Sequence, residues 1–340
     1  MDVKKLLADV TALPGVSGHE AQVSAYFAEQ FRPLVDEVTV DAMYSVIAHK
    51  KGKGPRIMLC AHLDEIALMV THIEDDGSLR LGNVGGVDPR ILPASRVWVH
   101  GREKLFGTIG ALPPHLMSAA DRANNYTLDN LHVDIGMSAE RAKELVRIGD
   151  LVTFDGPARE LLNDQFASKT LDDRSCVAIL LRTAEMLQKL VCDADVYFVC
   201  SSQEEVGGRG AKGAAFQQEP DIGIVLEGTT CNDLGDVPET AHVCEAGQGV
   251  AVSFMDGASI ANRALFRKAL DVAKQENIPH QVKHSVSGGN DGGAIQRARE
   301  GVPVVVLSVP CRYIHSPSSV VKLSDVESQF ALVKALVKAL

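Results

Sequence analysis

The sequence predicts an α/β protein in which a mainly parallel sheet is covered by helices and a small β-barrel-like domain is inserted. Apolar runs rich in Val, Ile and Leu alternate with helical patterns over most of the 340 residues, which is typical of parallel strands joined by helices. One internal stretch instead has short alternating segments between Gly, Pro and Asp turns, which favours a separate β-rich domain. The chain is long enough to bury more than one core.

Four short apolar runs are predicted to be buried strands, because each is rich in branched apolar residues and ends in polar ones. They are RIMLCAHLD at 56–64, DVYFVCSS at 195–202, DIGIVLEGT at 221–229 and VPVVVLSV at 302–309. Apolar residues at helical spacing predict the helices around them. These predicted helices span 2–12, 19–31, 173–190, 208–217, 260–276, 291–299 and 324–340.

The inserted β-rich domain is predicted between residues 68 and 163. Segments such as RVWVHGREKLFGTIG, at 96–110, alternate apolar and polar side chains around glycine turns, as strands with one buried face do. We therefore expect a discontinuous α/β domain made of residues 1–67 and 164–340.

Charge, hydropathy and cysteine content exclude several classes of protein. The formal net charge is −10. The sequence has no long run of Lys and Arg of the kind that would indicate a nucleic-acid partner. No apolar stretch reaches the roughly eighteen residues of a membrane span, and the N-terminus lacks the pattern of a signal peptide. Seven cysteines are scattered without a CxxC pair, which favours reduced thiols. We expect a cytoplasmic protein that binds neither nucleic acid nor membranes.

Imidazole and carboxylate side chains follow the predicted strands. Open α/β sheets bind ligands beyond the carboxyl ends of their strands, so these side chains should meet at one edge of the sheet. Each has an ordinary alternative, since an aspartate can cap a helix, a glutamate can be a solvated loop acid, and a histidine can be a satisfied polar residue. The candidates are His62, Asp64, Asp172, Glu204, Glu205, Glu227 and His315.

Taken together, these side chains indicate a metal centre. Carboxylates gathered at one edge repel one another unless a cation lies among them. Imidazole and carboxylate ligands without a thiolate suit Zn²⁺, Co²⁺ or Mn²⁺. Two ions about 3.5–4 Å apart, sharing a carboxylate and a water, can hydrolyse an amide or an ester. A carboxylate outside the ligand set then moves the proton from that water to the leaving group.

Five short motifs occur in order along nearly the whole chain: AHLDE, LDDR, QEEVGGRGA, VLEGTT and YIHSP. Together they resemble the two-metal aminopeptidases that include glutamyl, deblocking and tetrahedral aminopeptidases, some of which have been labelled endoglucanases. The resemblance implies a zinc-peptidase-like catalytic domain, short peptides as substrates, and two divalent ions per subunit, Zn²⁺ or Co²⁺ with Mn²⁺ as a further candidate. It also implies a homo-oligomer in which the inserted domain mediates dimers that assemble into a dodecamer.

The family pattern assigns a role to each candidate. It implies five metal ligands, with His62 and Glu227 on one ion, Glu205 and His315 on the other, and Asp172 bridging them. It also implies that Glu204 is the general base and that Asp64 orients the His62 imidazole. Family members often have a cis peptide after the bridging aspartate, so we expect one between Asp172 and Asp173.

Two positions depart from the family pattern. Glu227 stands where many relatives have aspartate, and its extra methylene changes how the carboxylate reaches an ion. Asn290 stands where relatives have threonine. We expect the next residue, Asp291, to lie beside the site, with a helix N-cap as the alternative.

Arg312 is either a partner for an acidic substrate side chain or a surface arginine.

Three hypotheses follow for the function. The first is a metal-dependent aminopeptidase that removes N-terminal residues from short peptides. The second is an endoglucanase-type glycoside hydrolase, which would use two carboxylates about 5–9.5 Å apart and generally no metal, leaving both histidines without a role. The third is a noncatalytic metal-binding assembly protein. All five ligand positions and the base position carry competent residues, which favours the aminopeptidase.

Overall fold

The computed structural model describes residues 2–119, 123–189, 193–286 and 288–340. The chain divides into two compact units. The first unit comprises Met1–Glu65, Pro157–Ile314 and Ser318–Leu340, and the second comprises Ile66–Gly156 and His315–Pro317.

The strands and helices are numbered along the chain. The strands are β1 (Glu37–Val40), β2 (Val46–Lys50), β3 (Arg56–His62), β4 (Ala67–Ile73), β5 (Leu79–Val84), β6 (Arg96–His100), β7 (Lys104–Ala111), β8 (Leu131–Asp134), β9 (Leu151–Phe154), β10 (Arg159–Leu161), β11 (Gln165–Ser168), β12 (Asp195–Ser201), β13 (Ile222–Thr230), β14 (Val250–Ser253), β15 (His280–Val282), β16 (Val304–Arg312) and β17 (Ser319–Lys322). The α-helices are α1 (Val3–Thr11), α2 (Ala21–Phe31), α3 (Ala139–Leu145), α4 (Leu171–Gln188), α5 (Arg209–Gln218), α6 (Arg263–Gln275), α7 (Asp291–Gln296) and α8 (Leu323–Ala339). Short 3₁₀ helices lie at Pro89–Ile91, Pro114–Leu116, Leu128–Asn130 and Glu239–Ala241.

The first unit contains a large mixed sheet. Its strand order is β1-β2-β12-β3-β13-β16-β17-β11-β10, and β14 and β15 extend it from β16. The four central strands, β12, β3, β13 and β16, are parallel to one another, and they are the four apolar runs predicted as strands. The strands on both sides of this centre join it antiparallel. The sheet is therefore mixed, parallel at its centre and joined by antiparallel strands on both sides, where the sequence predicts a mainly parallel sheet.

Side chains of the central strands alternate between two apolar clusters because successive residues of a strand point to opposite faces. On β3, Ile57 and Leu59 pack in a cluster with residues of α1, α2, α4, α6 and α8. Met58 and Cys60 pack in another cluster with residues of α5 and α7. All four side chains are fully buried, and each large one contributes about 1.5–3 kcal/mol of hydrophobic stabilisation.

The second unit is a closed barrel of the strands β4-β5-β8-β7-β6-β9. Burial alternates along β7, where Leu105 and Ile109 are buried and Lys104, Phe106 and Thr108 are exposed. The buried side chains join a separate apolar core, as expected for a barrel whose interior is filled by side chains. The chain is thus a mixed α/β protein with a closed six-stranded barrel.

The limits of the second unit differ from the predicted inserted domain by a few residues. Residues 157–163 lie in the first unit, since β10 pairs with β11 in the large sheet. The short segment His315–Pro317, far away in the sequence, is grouped with the barrel.

Two further features concern the helices and the thiols. Among the described residues, no helix is both long and apolar enough to cross a membrane. Six cysteines are buried free thiols; Cys192 lies outside the described residues.

Candidate functional site

The candidate site lies at the carboxyl ends of three neighbouring strands of the first unit. β3 pairs in parallel with β12 on one side and with β13 on the other. β3 ends at His62, which is paired with Ser201 at the end of β12. The loop after β12 carries Glu204 and Glu205, and β13 carries Glu227 just beyond its pairing with β3. The parallel register therefore gathers the candidate side chains of three separate motifs.

His62 is at the centre of the cluster, and its side chain is 1% exposed. Its Nε2 lies 3.3 Å from Asp172 Oδ1 and 3.5 Å from Glu227 Oε1. Its Nδ1 lies 3.0 Å from the main-chain oxygen of Asp64. If Nδ1–H donates to that oxygen, Nε2 presents its lone pair to the carboxylates, and this is the tautomer that a metal ligand needs.

Asp172 and Asp173 stand at the beginning of α4, before the helix becomes regular. The peptide bond between them is cis, as predicted from the family pattern. Both residues have non-helical dihedral angles, and the N-cap position of α4 is occupied by Thr170, so Asp172 is not the helix cap. The main-chain amide of His62 donates to Asp173 Oδ2 at 3.2 Å. Both aspartates therefore lie against the end of β3.

The buried Asp64 carboxylate holds the loop that carries the two adjacent glutamates. Its Oδ1 accepts from the Glu204 amide at 2.9 Å, and its Oδ2 accepts from the Glu205 amide at 3.2 Å. Oδ2 also accepts from the Ser17 hydroxyl at 2.6 Å, while Oδ1 lies 3.5 Å from His62 Nδ1. Asp64 therefore connects the imidazole at the end of β3 to the loop after β12.

The loop after β12 closes on glycines. The amides of Gly207 and Gly208 donate to Glu204 O at 2.8 and 3.0 Å. Both glycines have positive φ, 118° and 62°, which disfavours residues with a Cβ. A Cβ on Gly208 would also lie 3.0 Å from Ala294 Cβ. These glycines allow the loop to turn directly into α5.

The donor atoms are spaced as metal ligands are. The groups His62, Asp172, Glu205 and His62, Asp173, Glu227 each offer donor atoms within 4.8 Å of one another. Ligands about 2.0–2.1 Å from a tetrahedral ion lie roughly 3.3 Å apart, which is close to the separations around His62 Nε2. Imidazole nitrogen and carboxylate oxygen suit Zn²⁺, Co²⁺ and Mn²⁺. The cluster therefore fits metal binding.

Burial makes the negative charges of this cluster costly. It raises the pKa of Glu227 to about 8, and it raises the pKa values of Glu204 and Asp173 well above their usual range. Burial lowers the pKa of His62, but hydrogen bonds with Asp172 and other carboxylates raise it well above its usual range. A divalent cation would reverse this pattern, because it favours charged carboxylates and a neutral imidazole.

His315 is placed in the second unit together with Ser316 and Pro317. Its Nδ1 lies 3.1 Å from the main-chain oxygen of Gly86 in the same unit, a contact that can fix the ring and its tautomer. Its membership of the ligand set stays a prediction.

Asp291 and Arg312 are both engaged within the first unit. The cap of α7 is Asn290, whose side chain accepts from Gly292 N at 2.9 Å, so the N-cap alternative for Asp291 is wrong. The buried Asp291 carboxylate accepts from the Ser201 hydroxyl through Oδ2. The Arg312 guanidinium forms a two-pronged pair with Asp233, with both N–O distances 2.8 Å, so it is not an unpaired surface arginine.

Sequence reasoning missed three contributors to this cluster. Asp173 was visible beside a predicted ligand, and only its contact with His62 was unforeseen. Ser17 and Glu20 belong to the turn after α1, and they reach groups that are 47 and 183 residues away in the sequence. Neither spacing nor composition carries a signal for contacts over such separations.

The sequence is similar to known aminopeptidases over almost its entire length. A family model described as M42 glutamyl aminopeptidase matches residues 45–332. A putative aminopeptidase of Acetivibrio thermocellus is 39% identical over 344 residues, covering 100% of this chain and 98% of the relative. A lysyl aminopeptidase of Pyrococcus furiosus is 37% identical over 345 residues, covering 99% and 97%.

Solved structures give the same result for the fold. The TET1 peptidase of Pyrococcus horikoshii, described as able to assemble into a tetrahedron or a large octahedral shell, matches with a TM-score of 0.87 and 33% identity over 100% of both chains. A Thermotoga maritima protein described as an endoglucanase matches with a TM-score of 0.80 and 34% identity over 98% of this chain and 96% of the other.

Proposed function

The chain belongs to the M42 glutamyl aminopeptidase family and is a peptidase, and we propose that it removes N-terminal residues from short peptides in a reaction that depends on two divalent metal ions. The observation that carries this proposal is the pair of donor groups that share the buried His62, one with Asp172 and Glu205 and one with Asp173 and Glu227, whose atoms have the spacing and chemistry of metal ligands.

The proposed ligand set is the one implied by the family motifs. His62 and Glu227 hold one ion, Glu205 and His315 hold the other, and Asp172 is shared. The catalytic unit is proposed to be zinc-peptidase-like, and Zn²⁺, Co²⁺ and Mn²⁺ are the candidate ions. When bound, such ions supply a polarised substrate carbonyl and a more acidic water.

The remaining work falls to side chains of this chain. We assign Glu204 as the general base, so that its carboxylate takes a proton from the attacking water and gives it to the leaving amino nitrogen. Asp64 holds the main-chain amides of Glu204 and Glu205, so it keeps the base and a ligand in register. Asp173, at the amide of His62, supports the end of β3 in the same way.

Metal dependence can be tested by removal and reloading. Purified protein treated with a chelator should lose activity on aminoacyl-nitroanilides and on short peptides, and Co²⁺ or Zn²⁺ should restore it. Activity that survives complete removal of bound metal would refute the proposal. A panel of aminoacyl substrates in the same assay would show which N-terminal residue is preferred.

The glycoside hydrolase remains the second candidate because one structural relative is described as an endoglucanase. That chemistry requires two carboxylates and generally no metal, which leaves the buried imidazole of His62 unexplained. Hydrolysis of a soluble cellulose substrate in the presence of a chelator would favour it. A protein that binds metal at full stoichiometry yet cleaves no peptide or glycan would favour the noncatalytic assembly protein.

We also propose a homo-oligomer in which the barrel unit mediates dimers that assemble into a dodecamer. The support is that the TET1 relative is described as able to assemble into a tetrahedron or a large octahedral shell, and that another TET1 structure is described as a dodecamer. Native mass spectrometry should give twelve times the 36.4 kDa of one chain; a monomeric mass at working concentration would contradict the assembly. The buried free thiols support a reducing compartment, the cytoplasm, as the proposed location.

A further inference from the structure

Three consecutive main-chain amides after β12 are each held by a buried carboxylate from a distant part of the chain. Asp64 accepts from the Glu204 and Glu205 amides at 2.9 and 3.2 Å. Glu20 accepts from the Gln203 amide at 3.0 Å through Oε1. The loop that carries the proposed base and a proposed ligand is therefore fixed by two side chains, and one of them has no role in the mechanism described so far.

Glu20 is built into the fold rather than left at its surface. The residue is fully buried, and its Oε1 also accepts from the Gly18 amide at 2.9 Å. A single oxygen thus joins the turn after α1 to the loop after β12. The partner residue Gln203 has a φ of 55°, a left-handed conformation that costs free energy in a residue with a Cβ and needs support from its surroundings.

The turn that presents Glu20 is itself anchored at the end of β3. The Gly15 amide donates to Glu65 Oε1 at 3.1 Å, and Lys169 Nζ lies 2.6 Å from the other oxygen of Glu65. The Ser17 hydroxyl donates to Asp64 Oδ2 at 2.6 Å. The turn is therefore tied to Asp64 and Glu65, shortly after the end of β3, so it offers a rigid base from which Glu20 can position the loop.

We propose that Glu20 is a positioning residue that fixes the position and orientation of the loop bearing Glu204 and Glu205. This inference rests on the proposed function for its catalytic consequence. The positioning of the loop by Glu20 does not depend on the proposed function, because the contact between Glu20 and the Gln203 amide is present whether or not the loop takes part in catalysis.

The matched variants follow from the chemistry of the acceptor. Burial raises the pKa of Glu20 to about 7, so a neutral side chain of the same length is a fair substitute, and Glu20→Gln keeps an oxygen that can accept from both amides. Glu20→Ala removes the acceptor. Glu20→Asp withdraws the carboxylate by one methylene and disturbs the packing less than Glu20→Ala does. If Glu20→Ala fails to fold, Glu20→Asp carries the test.

Asp325 offers a control of the same kind outside the site. It is 1% exposed, and its carboxylate accepts from the amides of Gly247 and Gly249 at 2.7 and 2.9 Å. Asp325→Ala therefore removes a buried carboxylate that holds two loop amides, as Glu20→Ala does, but at a loop to which no catalytic role is assigned.

The experiment compares these variants with the wild type in three measurements: kcat and KM on a short peptide, Co²⁺ affinity from its visible absorption, and hydrogen exchange of residues 201–208. For Glu20→Ala and Glu20→Asp we expect kcat and Co²⁺ affinity to fall by about 10–100-fold, with KM changed less than about twofold, and faster exchange of the loop. Glu20→Gln should keep kcat, Co²⁺ affinity and loop exchange at the values of the wild type. Asp325→Ala should lower the melting temperature and change none of the three.

The outcomes separate this inference from the proposed function. The positioning role would be overturned if Glu20→Ala or Glu20→Asp had the loop exchange, kcat and Co²⁺ affinity of the wild type. It would also be overturned if Glu20→Gln did not keep these three properties. A wild type that binds Co²⁺ but hydrolyses no peptide would refute only the proposed function, and the exchange and affinity data would still decide the role of Glu20.

Discussion

At the scale of single residues, the adjacent acids Glu204 and Glu205 have different surroundings although both lie in one loop. The donor atoms of Glu205 are grouped with those of His62 and Asp172. Burial raises the pKa of Glu204 well above its usual range. The two backbone amides share one partner, Asp64, so a change at Asp64 should affect both proposed roles together.

The substitution Asp64→Asn tests this shared support. An amide has one acceptor oxygen where the carboxylate has two, so either the Glu204 amide or the Glu205 amide loses its acceptor. Because such supporting groups typically change metal affinity or activity by about 10–100-fold, we expect both quantities to fall in that range. Asp325→Asn is the matched control and should leave both unchanged. Normal Co²⁺ affinity and kcat in Asp64→Asn would contradict the role of Asp64.

Glu20 also predicts a dependence of stability on pH. Its pKa rises from 4.5 to about 7 on folding, mainly through burial, so the folded state keeps a proton that the unfolded state loses. The charged groups facing it are the Asp64 carboxylate and the Arg174 guanidinium. The stabilisation from this group is complete at pH values below the pKa of Glu20 in the unfolded chain. It is lost as the pH rises through the pKa of Glu20 in the folded protein.

The substitution Glu20→Gln removes that titration. The free energy of unfolding of Glu20→Gln relative to wild type should therefore rise between about pH 5 and about pH 8, by at most about 1.4 kcal/mol per pH unit. Denaturant titrations at several pH values and fixed metal concentration measure this difference. A difference that is flat or falls with pH would contradict the raised pKa of Glu20.

At the scale of secondary-structure elements, the sequence predicts what is buried on both faces. The four central strands form continuous apolar runs because their side chains pack in apolar clusters on both faces, and this signal does not depend on neighbouring strands. β1, β2 and β17 are only four or five residues long, and β1 is mostly exposed, so they leave no comparable pattern. Their antiparallel pairing comes from contacts that a one-dimensional pattern does not contain.

The same limit applies to the site. His62, Glu227 and the two loop glutamates could be predicted because each ends or follows a recognisable apolar run: His62 ends β3, the two glutamates follow β12, and Glu227 follows the apolar residues of β13. The partners that hold them, Ser17 and Glu20, lie in a turn whose sequence indicates only a turn. Their contacts depend on how α1, α2 and β3 pack, and packing is not visible in local spacing.

The β4–β5 hairpin of the barrel provides a prediction at this scale. Gly77 has a φ of 91°, and a Cβ there would lie 2.1 Å from Met137 O, whereas Gly136 has a φ of 69° with open space around it. Gly136→Ala should cost about 1–2 kcal/mol of stability from the backbone conformation alone. Gly77→Ala adds a clash with the backbone, so it should cost more. Thermal melts compare the two, and equal losses would contradict the close approach at Gly77.

At the scale of the whole molecule, the chain combines a mixed α/β unit with a closed barrel unit, and four of the five proposed ligands lie in the α/β unit. The fifth, His315, is grouped with the barrel although it is only a few residues from β16 in the sequence. Because the proposed ligands and the proposed base are different residues, metal binding and proton transfer can be separated experimentally.

The most direct test measures bound metal and turnover in Glu204→Gln, with Glu327→Gln, a partner of Arg182 outside the site, as the control. Glu204→Gln keeps the size of the side chain but cannot take a proton. We predict two ions per chain in both variants, with kcat lowered by about 100–10,000-fold in Glu204→Gln alone. Full turnover in Glu204→Gln with both ions bound would contradict the central claim that Glu204 is the base of a two-metal aminopeptidase.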